Sequence, residues 1–224
     1  MKALIAARSG SQRVKNKNIR PFGNTTLLEL KIEQLLRIEK INGIVVNSND
    51  PEILSIASNY GCELIKRDSA YATNDVCMSD VYKNMAENFT DELILYANCT
   101  NPLLSDDSIT NAIEEYLKIN GEYDSLNSAH LVKEFLFKDN KPINYSLREQ
   151  PRSQDLPDYY ALNFAINIIA REKMIEYKNV VGYKPLIYGI DEVEGYDIDN
   201  PIDFDFCEYM YQRSKKQFAK FPES

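Results

Sequence analysis

The sequence contains no tryptophan, one histidine and four cysteines among 224 residues. A lone histidine, His130, leaves little room for a Ser–His–Asp triad, and no GxSxG elbow accompanies it. Cys62, Cys77, Cys99 and Cys207 are scattered with no CxxC pair. That argues against a disulfide framework or a zinc site and fits a reducing cytoplasm. No apolar run approaches the ~18 residues of a bilayer-spanning helix. The stretch ALIAA at 3–7 is cut off by Arg8, too soon for a signal-peptide core. Glycine is sparse, and Gly10 is the only one between Met1 and Phe22. The dinucleotide fingerprint GxGxxG and the P-loop pattern are therefore both missing, so phosphates would have to be held by other means. Positive charge is in deficit, with 26 Lys and Arg against 34 Asp and Glu, net −8. Such a chain lacks the basic face that general nucleic-acid binding requires.

What is present is globular: 44% of residues are hydrophobic, enough for one domain spanning 1–224 with a sizeable core. Short apolar strands at 3–7, 43–48, 62–67, 92–98 and 124–129 alternate with helical patterns at 27–38, 51–61, 81–89 and 106–121. Pro51 and Gly61 mark a helix start and stop. This alternation predicts an α/β fold with a mostly parallel sheet and helices on both faces. After His130 the rhythm changes. EFLFKDNKPINY (134–145) reads as two strands around a Lys-Asp-Asn-Lys turn, and 148–160 as a polar loop. Strands follow at 161–169 and 185–190, then a closing helix at 201–218. Residues 130–160 thus form a β-rich insertion.

The first 28 residues carry Lys2, Arg8, Arg13, Lys15, Lys17 and Arg20, and no acid precedes Glu29. A basic loop after strand one of an open parallel sheet lies where such folds bind ligands. Within an acidic chain it points to a small anion. Arg8 and Lys17 supply charge, while Gly10 and Ser11 let backbone N–H groups approach oxygen atoms. A solvated basic turn is the alternative.

The segment AARSGSQRVKNKNI (6–19) resembles the signature loop of the CMP-sialic acid synthetase family, the acylneuraminate cytidylyltransferases. Further segments resemble that family in order: 45–61, KRDSAYATND (66–75) with Ser79 after it, NCTNPLL (98–104), LNFAINI (162–168) and DIDNPIDF (197–204). The resemblance spans nearly the whole chain. It implies a three-layer, Rossmann-like nucleotidyltransferase fold and CTP-dependent transfer of CMP with release of pyrophosphate. Arg8 and Lys17 match its phosphate-binding, catalytic pair. Ala7, Gly10, Ser11 and Asn18 match its loop contacts to the nucleotide, and Arg67, Ala72 and Ser79 its cytosine pocket. Asn98, Thr100, Asn163 and Phe164 fall on its acceptor side.

Phosphoryl transfer normally adds Mg²⁺, held by one or two carboxylates and phosphate oxygens. On a strand, Asp197 and Asp199 would project together with Ile198 facing away. That makes the two acids metal candidates. Asn200 and Pro201 read as a helix N-cap and first position, with Asp203 and Asp205 serving that helix terminus.

The departures from the family pattern gather on the acceptor side. Asn98 stands for glutamine, Cys99 for proline, Phe164 for glycine and Asn167 for tyrosine, while Gln12 stands for the loop lysine. They favour a small phosphorylated acceptor, as in the similar CTP:phosphoglutamine cytidylyltransferases of bacterial capsule pathways. The alternative acceptor is a nine-carbon acidic sugar of the sialic or legionaminic type. A non-catalytic CTP-binding relative is the reading of a different class. Arg148, Arg152, Lys138 and Lys141 are candidates for binding an anionic acceptor from a neighbouring subunit, since relatives dimerise through such an insertion.

Overall fold

The computed structural model describes residues 1–73, 75–119 and 121–218. Asn74, inside the KRDSAYATND segment, and Asn120, inside the predicted helix 106–121, lie outside the described residues. In chain order the elements are β1 (Lys2–Ala6), β2 (Pro21–Phe22), β3 (Thr25–Thr26), α1 (Leu27–Leu36), β4 (Ile44–Ser48), α2 (Pro51–Asn59), β5 (Glu63–Lys66), α3 (Met78–Glu87), β6 (Leu93–Ala97) and α4 (Asp106–Leu117). The second half adds β7 (Ser125–Val132), β8 (Phe137–Lys138), β9 (Lys141–Pro142), β10 (Tyr159–Ala170), α5 (Arg171–Tyr177), β11 (Pro185–Gly189) and α6 (Pro201–Phe218).

Seven strands form one sheet in the order β11-β7-β10-β6-β1-β4-β5. Every strand runs the same way except β10, which is antiparallel to both neighbours. The interior strand β4 (IVVNS) is buried along its whole length, as a strand covered on both faces must be. Two clusters flank the sheet. Ala3 and Ile5 of β1 face one side, where α1, α2, α4 and α6 pack; Leu4 faces the other, with α3 and α5. The three-layer expectation is met.

Local chemistry fixes the helix starts. The Thr26 hydroxyl accepts from Glu29 N and donates to Glu29 Oε2, a reciprocal cap for α1. Asp50 caps α2 with Pro51 behind it, and the Ser105 hydroxyl accepts from Ser108 N to start α4. The predicted Lys-Asp-Asn-Lys hairpin is present as β8 and β9. Asp139 and Asn140 both have positive φ, the left-handed pair that a two-residue hairpin turn requires.

Three local expectations change. Tyr159 and Tyr160, read as loop, begin β10, because they pair with Val132 and Leu131. Residues 171–177, left unassigned by the sequence, form α5, which has no side-chain cap at its start. Residues 197–199 are not a strand but irregular backbone, pinned by Ile198 N donating to Thr100 O.

Candidate active site

The C-terminal ends of β1 and β6, the loop after β1 and the segment before α6 enclose a cleft of about 450 Å³. Arg8, Ser11, Arg13, Lys17 and Asn18 form one wall, Asn98, Cys99 and Thr100 another, and Asp199 an edge. Sequence reasoning had named all of these except Cys99 and Arg13 as site residues. Cys99 entered it only as a departure, and Arg13 as a loop cation open to either ligand steering or surface charge.

Hydrogen bonds across long sequence separations hold the walls together. Lys17 Nζ donates to Ile198 O at 2.6 Å, and Arg13 Nη2 donates to Asp199 Oδ1 at 2.8 Å. The buried Asn101 side chain donates to Gly195 O and Tyr196 O, tying the 98–104 turn to the segment that carries the acids. Glu194 Oε2 accepts from Ser105 N and from the Ser105 and Ser108 hydroxyls, locking that segment onto the start of α4. Asp203 accepts from Asp199 N and Asn200 N, so it does serve the helix terminus.

Charge in the cleft is poised by burial. Burial lowers the Lys17 pKa against the opposing pull of Asp197 and Asp199, with Arg13 adding to the lowering. Burial raises the Asp197 pKa; a hydrogen bond from Thr100 and the charge of Lys17 resist, and Asp199 adds to the rise. Asp197 is open to solvent by surface area. The raised pKa therefore reflects protein crowding around one side of its carboxyl. A partly desolvated cation interacts with a polyanion more strongly than one in bulk water.

The loop itself is partly committed. Ala7 is buried and its N–H already donates to Asn47 O, while Ser9 N donates to Asn49 Oδ1. The bond to Asn47 ties Ala7 to β4 and helps to position the loop. Gly10 has φ +79° with open space around it, so its conformation rather than crowding requires glycine.

The expected cytosine-pocket residues stand beside the cleft rather than in its wall. Arg8 reaches them, donating to Ala72 O at 3.0 Å and Thr73 O at 3.3 Å. Arg67 is only 6% exposed and donates to Asn47 Oδ1 at 2.6 Å. Burial lowers its pKa, and nearby Arg8 adds to this. It borders a separate hollow with Asn49 and Asp68. Ser79 lies in the first turn of α3 and does not line the cleft.

Asn163 and Phe164 likewise do not line the cleft. They sit in an irregularity of β10 between Leu162 and Asn167. Asn163 Oδ1 accepts from the Ser128 hydroxyl, and its Nδ2 presses on Gly195, where any Cβ would collide at 2.3 Å. Phe164 has φ +55°, a left-handed conformation that costs a bulky residue about 1–2 kcal/mol. Its ring packs beside the Leu4 cluster.

Of the four insertion cations considered for the acceptor, Arg152 is paired with Asp155, and Arg148, Lys138 and Lys141 are exposed away from the cleft wall. Sequence reasoning also missed Lys31. It is 1% exposed on α1 behind Cys99, although its place on the apolar stripe of 27–38 signals burial.

Fold and cleft together define a nucleotidyltransferase. The chain aligns over 95% of its length with CMP:2-keto-3-deoxy-manno-octonic acid synthetase complexed with CTP (98% of that chain, TM-score 0.71, 10% identity). It also aligns over 95% with 4-diphosphocytidyl-2C-methyl-D-erythritol synthase from Anaerococcus prevotii (96% of that chain, TM-score 0.70, 14% identity). At those identities the likeness establishes the fold. The sequence model of the Cytidylyltransferase family matches residues 2–220, and the chain belongs to that family. It is 25% identical to the post-translational flagellin modification protein B of Campylobacter coli, over 97% of both chains. It is 27% identical to the CMP-N,N'-diacetyllegionaminic acid synthase of Campylobacter jejuni, over 92% of both. Identity to the N-acylneuraminate cytidylyltransferase of Escherichia coli is 24%, over 96% of this chain and 53% of that protein. Among the described residues no helix is long and apolar enough to cross a membrane.

Proposed function

We propose that this cytidylyltransferase moves CMP from CTP onto an acidic nine-carbon sugar of the nonulosonic class, rather than onto the phosphorylated acceptor favoured by the altered sequence motifs. The names of similar proteins support the sugar: N,N'-diacetyllegionaminic acid and pseudaminic acid in addition to N-acylneuraminate. The observation that carries the reading is the cleft itself, where Arg8, Arg13 and Lys17 face a carboxylate edge. In the reaction the acceptor hydroxyl oxygen attacks the α-phosphorus and the bond to the β-phosphate breaks. Pyrophosphate leaves and the hydroxyl proton passes to solvent. Arg8 and Lys17 screen the triphosphate and the charge that grows on the leaving group. Asn18 and Ser11 position the nucleotide, and Thr100 orients Asp197.

Asp199 edges the cleft with Arg13 on its Oδ1, Asp197 lies two residues before it and outside the lining, and these two carboxylates would hold Mg²⁺ with phosphate oxygens completing its shell. No cluster of three or more metal-binding side chains exists among the described residues, which suits an ion shared with substrate better than a closed protein cage. When bound, Mg²⁺ would supply positive charge to the α-phosphate and ease loss of the acceptor proton. A homodimer through residues 130–160 is supported by the exposed Leu131, Phe137, Ile143, Leu147 and Tyr160 on that segment.

Pyrophosphate release with CTP and Mg²⁺ across N-acylated nonulosonic acids and phosphoglutamine tests the reading. Release with at least one sugar acid is expected. Release with phosphoglutamine alone would refute the acceptor class. CTP binding without turnover on any acceptor would instead support the non-catalytic relative.

A further inference from the structure

Behind the cleft lies a second hollow of about 470 Å³, walled by α1, the 98–106 turn and α6. Cys99 lines both cavities and forms part of their common wall. Their chemistry differs. The cleft is lined mainly by polar side chains, whereas the half-buried Leu30, Leu103, Met210 and Tyr211 give the hollow apolar walls. Its volume suits one small molecule.

Its charge runs against that of the chain. The protein is net −8, yet Lys31, Arg37 and Lys215 border the hollow with a single acid, Asp106. Asp106 is already committed. Arg37 donates to both of its oxygens, at 2.7 and 2.9 Å, and Gln34 Nε2 adds a third bond at 3.1 Å. Lys31 is in the opposite position. Its buried ammonium gives two N–H groups to neutral acceptors, Gln34 Oε1 and Asn101 O, and the third has no partner among the described residues. Buried charges are ordinarily paired with an opposite charge. Lys215 adds a cation at the exposed rim, 4.5 Å from the centre of the Tyr211 ring. Cations in need of an anion beside apolar walls match a carboxylate carried on a hydrocarbon chain.

Asn101 links this hollow to the cleft. Its carbonyl accepts from Lys31, and its side chain donates to Gly195 O and Tyr196 O, just before Asp197 and Asp199. A ligand that drew the ammonium off Asn101 would disturb the residue that anchors the acid-bearing segment.

We propose that the hollow binds a small amphipathic carboxylic acid, its carboxylate on Lys31 and its hydrocarbon against Leu30, Leu103, Met210 and Tyr211, and that this binding weakens the hold of the cleft on CTP through Asn101. The site is separate from those of nucleotide and acceptor, so it does not depend on which acceptor the enzyme uses. The coupling is reciprocal: bound CTP lowers the affinity for the acid by the same factor.

The test is calorimetric titration of the whole enzyme at pH 7 with octanoate, with octan-1-ol as the same chain without charge and acetate as the charge without a chain. Octanoate should bind saturably, and the other two at least about tenfold more weakly. Lys31→Met should weaken octanoate about tenfold or more, the scale of a charge-assisted hydrogen bond, and leave octan-1-ol within about twofold. Lys17→Ala should leave octanoate binding unchanged, because Lys17 belongs to the cleft. The Kd for CTP, titrated with Mg²⁺ present, should rise as octanoate is added and then level off. A rise without limit means competition in the cleft and overturns the proposal, and a CTP affinity unchanged at saturating octanoate overturns the coupling. Equal binding of octanoate and octan-1-ol, or wild-type octanoate affinity in Lys31→Met, overturns the site. If Lys31→Met fails to fold, Met210→Glu takes its place, since a carboxylate set beside the chain should repel the probe. A second copy of this chain is the rival occupant. Absence of octanoate binding, with a lower sedimenting mass for Met210→Glu than for wild type, would assign the hollow to that copy and overturn the proposal.

Discussion

Lys31 offers a prediction whose size follows from the structure. The residue sits in the apolar stripe of α1 at 1% exposure. It donates to Gln34 Oε1 at 2.7 Å and Asn101 O at 3.3 Å, and no salt bridge to it is formed among the described residues. Burial lowers its pKa from 10.5 to about 8, with Cys99 and Asp106 opposing only weakly. A fall of that size is worth about 3.4 kcal/mol at 1.36 kcal/mol per pH unit. The sign follows from proton counting. Between pH 8 and 10.5 the unfolded chain binds the proton more often than the folded one, so stability rises with pH across that window. Below pH 8 both states are protonated and the full burial cost is present. Integrated from pH 7 to 10, the gain from this one group is about 2.5 kcal/mol. Other groups titrate there too, so the quantity to measure is the difference between wild type and Lys31→Met. Urea denaturation at pH 7, 8, 9 and 10 should show Lys31→Met closest to, or above, wild type at pH 7. Wild type should then gain on it by about 2 kcal/mol toward pH 10. A difference that stays flat with pH would refute the claim that a charged lysine is buried behind the cleft.

Other expectations concern the cleft and its support. Lys17→Ala removes a desolvated cation and should cost about 10²–10³ in kcat/KM for CTP, measured by pyrophosphate release; a loss below tenfold would remove Lys17 from the transition state. Asp197→Asn replaces a carboxylate whose ionised form burial disfavours. It should leave metal-free thermal stability equal or higher while Mg²⁺-dependent activity falls, and unchanged activity would take Asp197 out of the metal site. At Phe164 the usual order of Gly and Ala should invert. Both substitutions lose the ring, but only glycine accepts φ +55° freely, so Phe164→Gly should be about 1 kcal/mol more stable than Phe164→Ala by urea denaturation. Alanine equal to or above glycine would show that the backbone relaxes.

Much of the fold was legible because its signals are local. Apolar strands alternating with capped helices imply crossovers, and the parallel sheet follows. What escaped was determined elsewhere in the chain. Helix α5 has no capping side chain, and its Met174 is held by packing against the Leu4 cluster. The strand assigned to 197–199 came from the spacing of two acids around Ile198. Ile198 is indeed buried, but it is fixed by a bond to Thr100 and not by a sheet partner. The active site divides the same way. The basic loop was visible as charge in one stretch. Arg13 could not be told from surface charge because Asp199, its partner, lies 186 residues away.

The acceptor side shows how residues taken singly and taken together support different readings. Taken singly, Asn98, Phe164 and Asn167 looked like three losses of sugar-binding features, and they argued for a different, phosphorylated acceptor. In the structure two of them grip the backbone of the third. A left-handed phenylalanine persists only where its surroundings hold it. Two amides on its carbonyl do that. The three substitutions are therefore one structural feature, and they do not count as three separate losses.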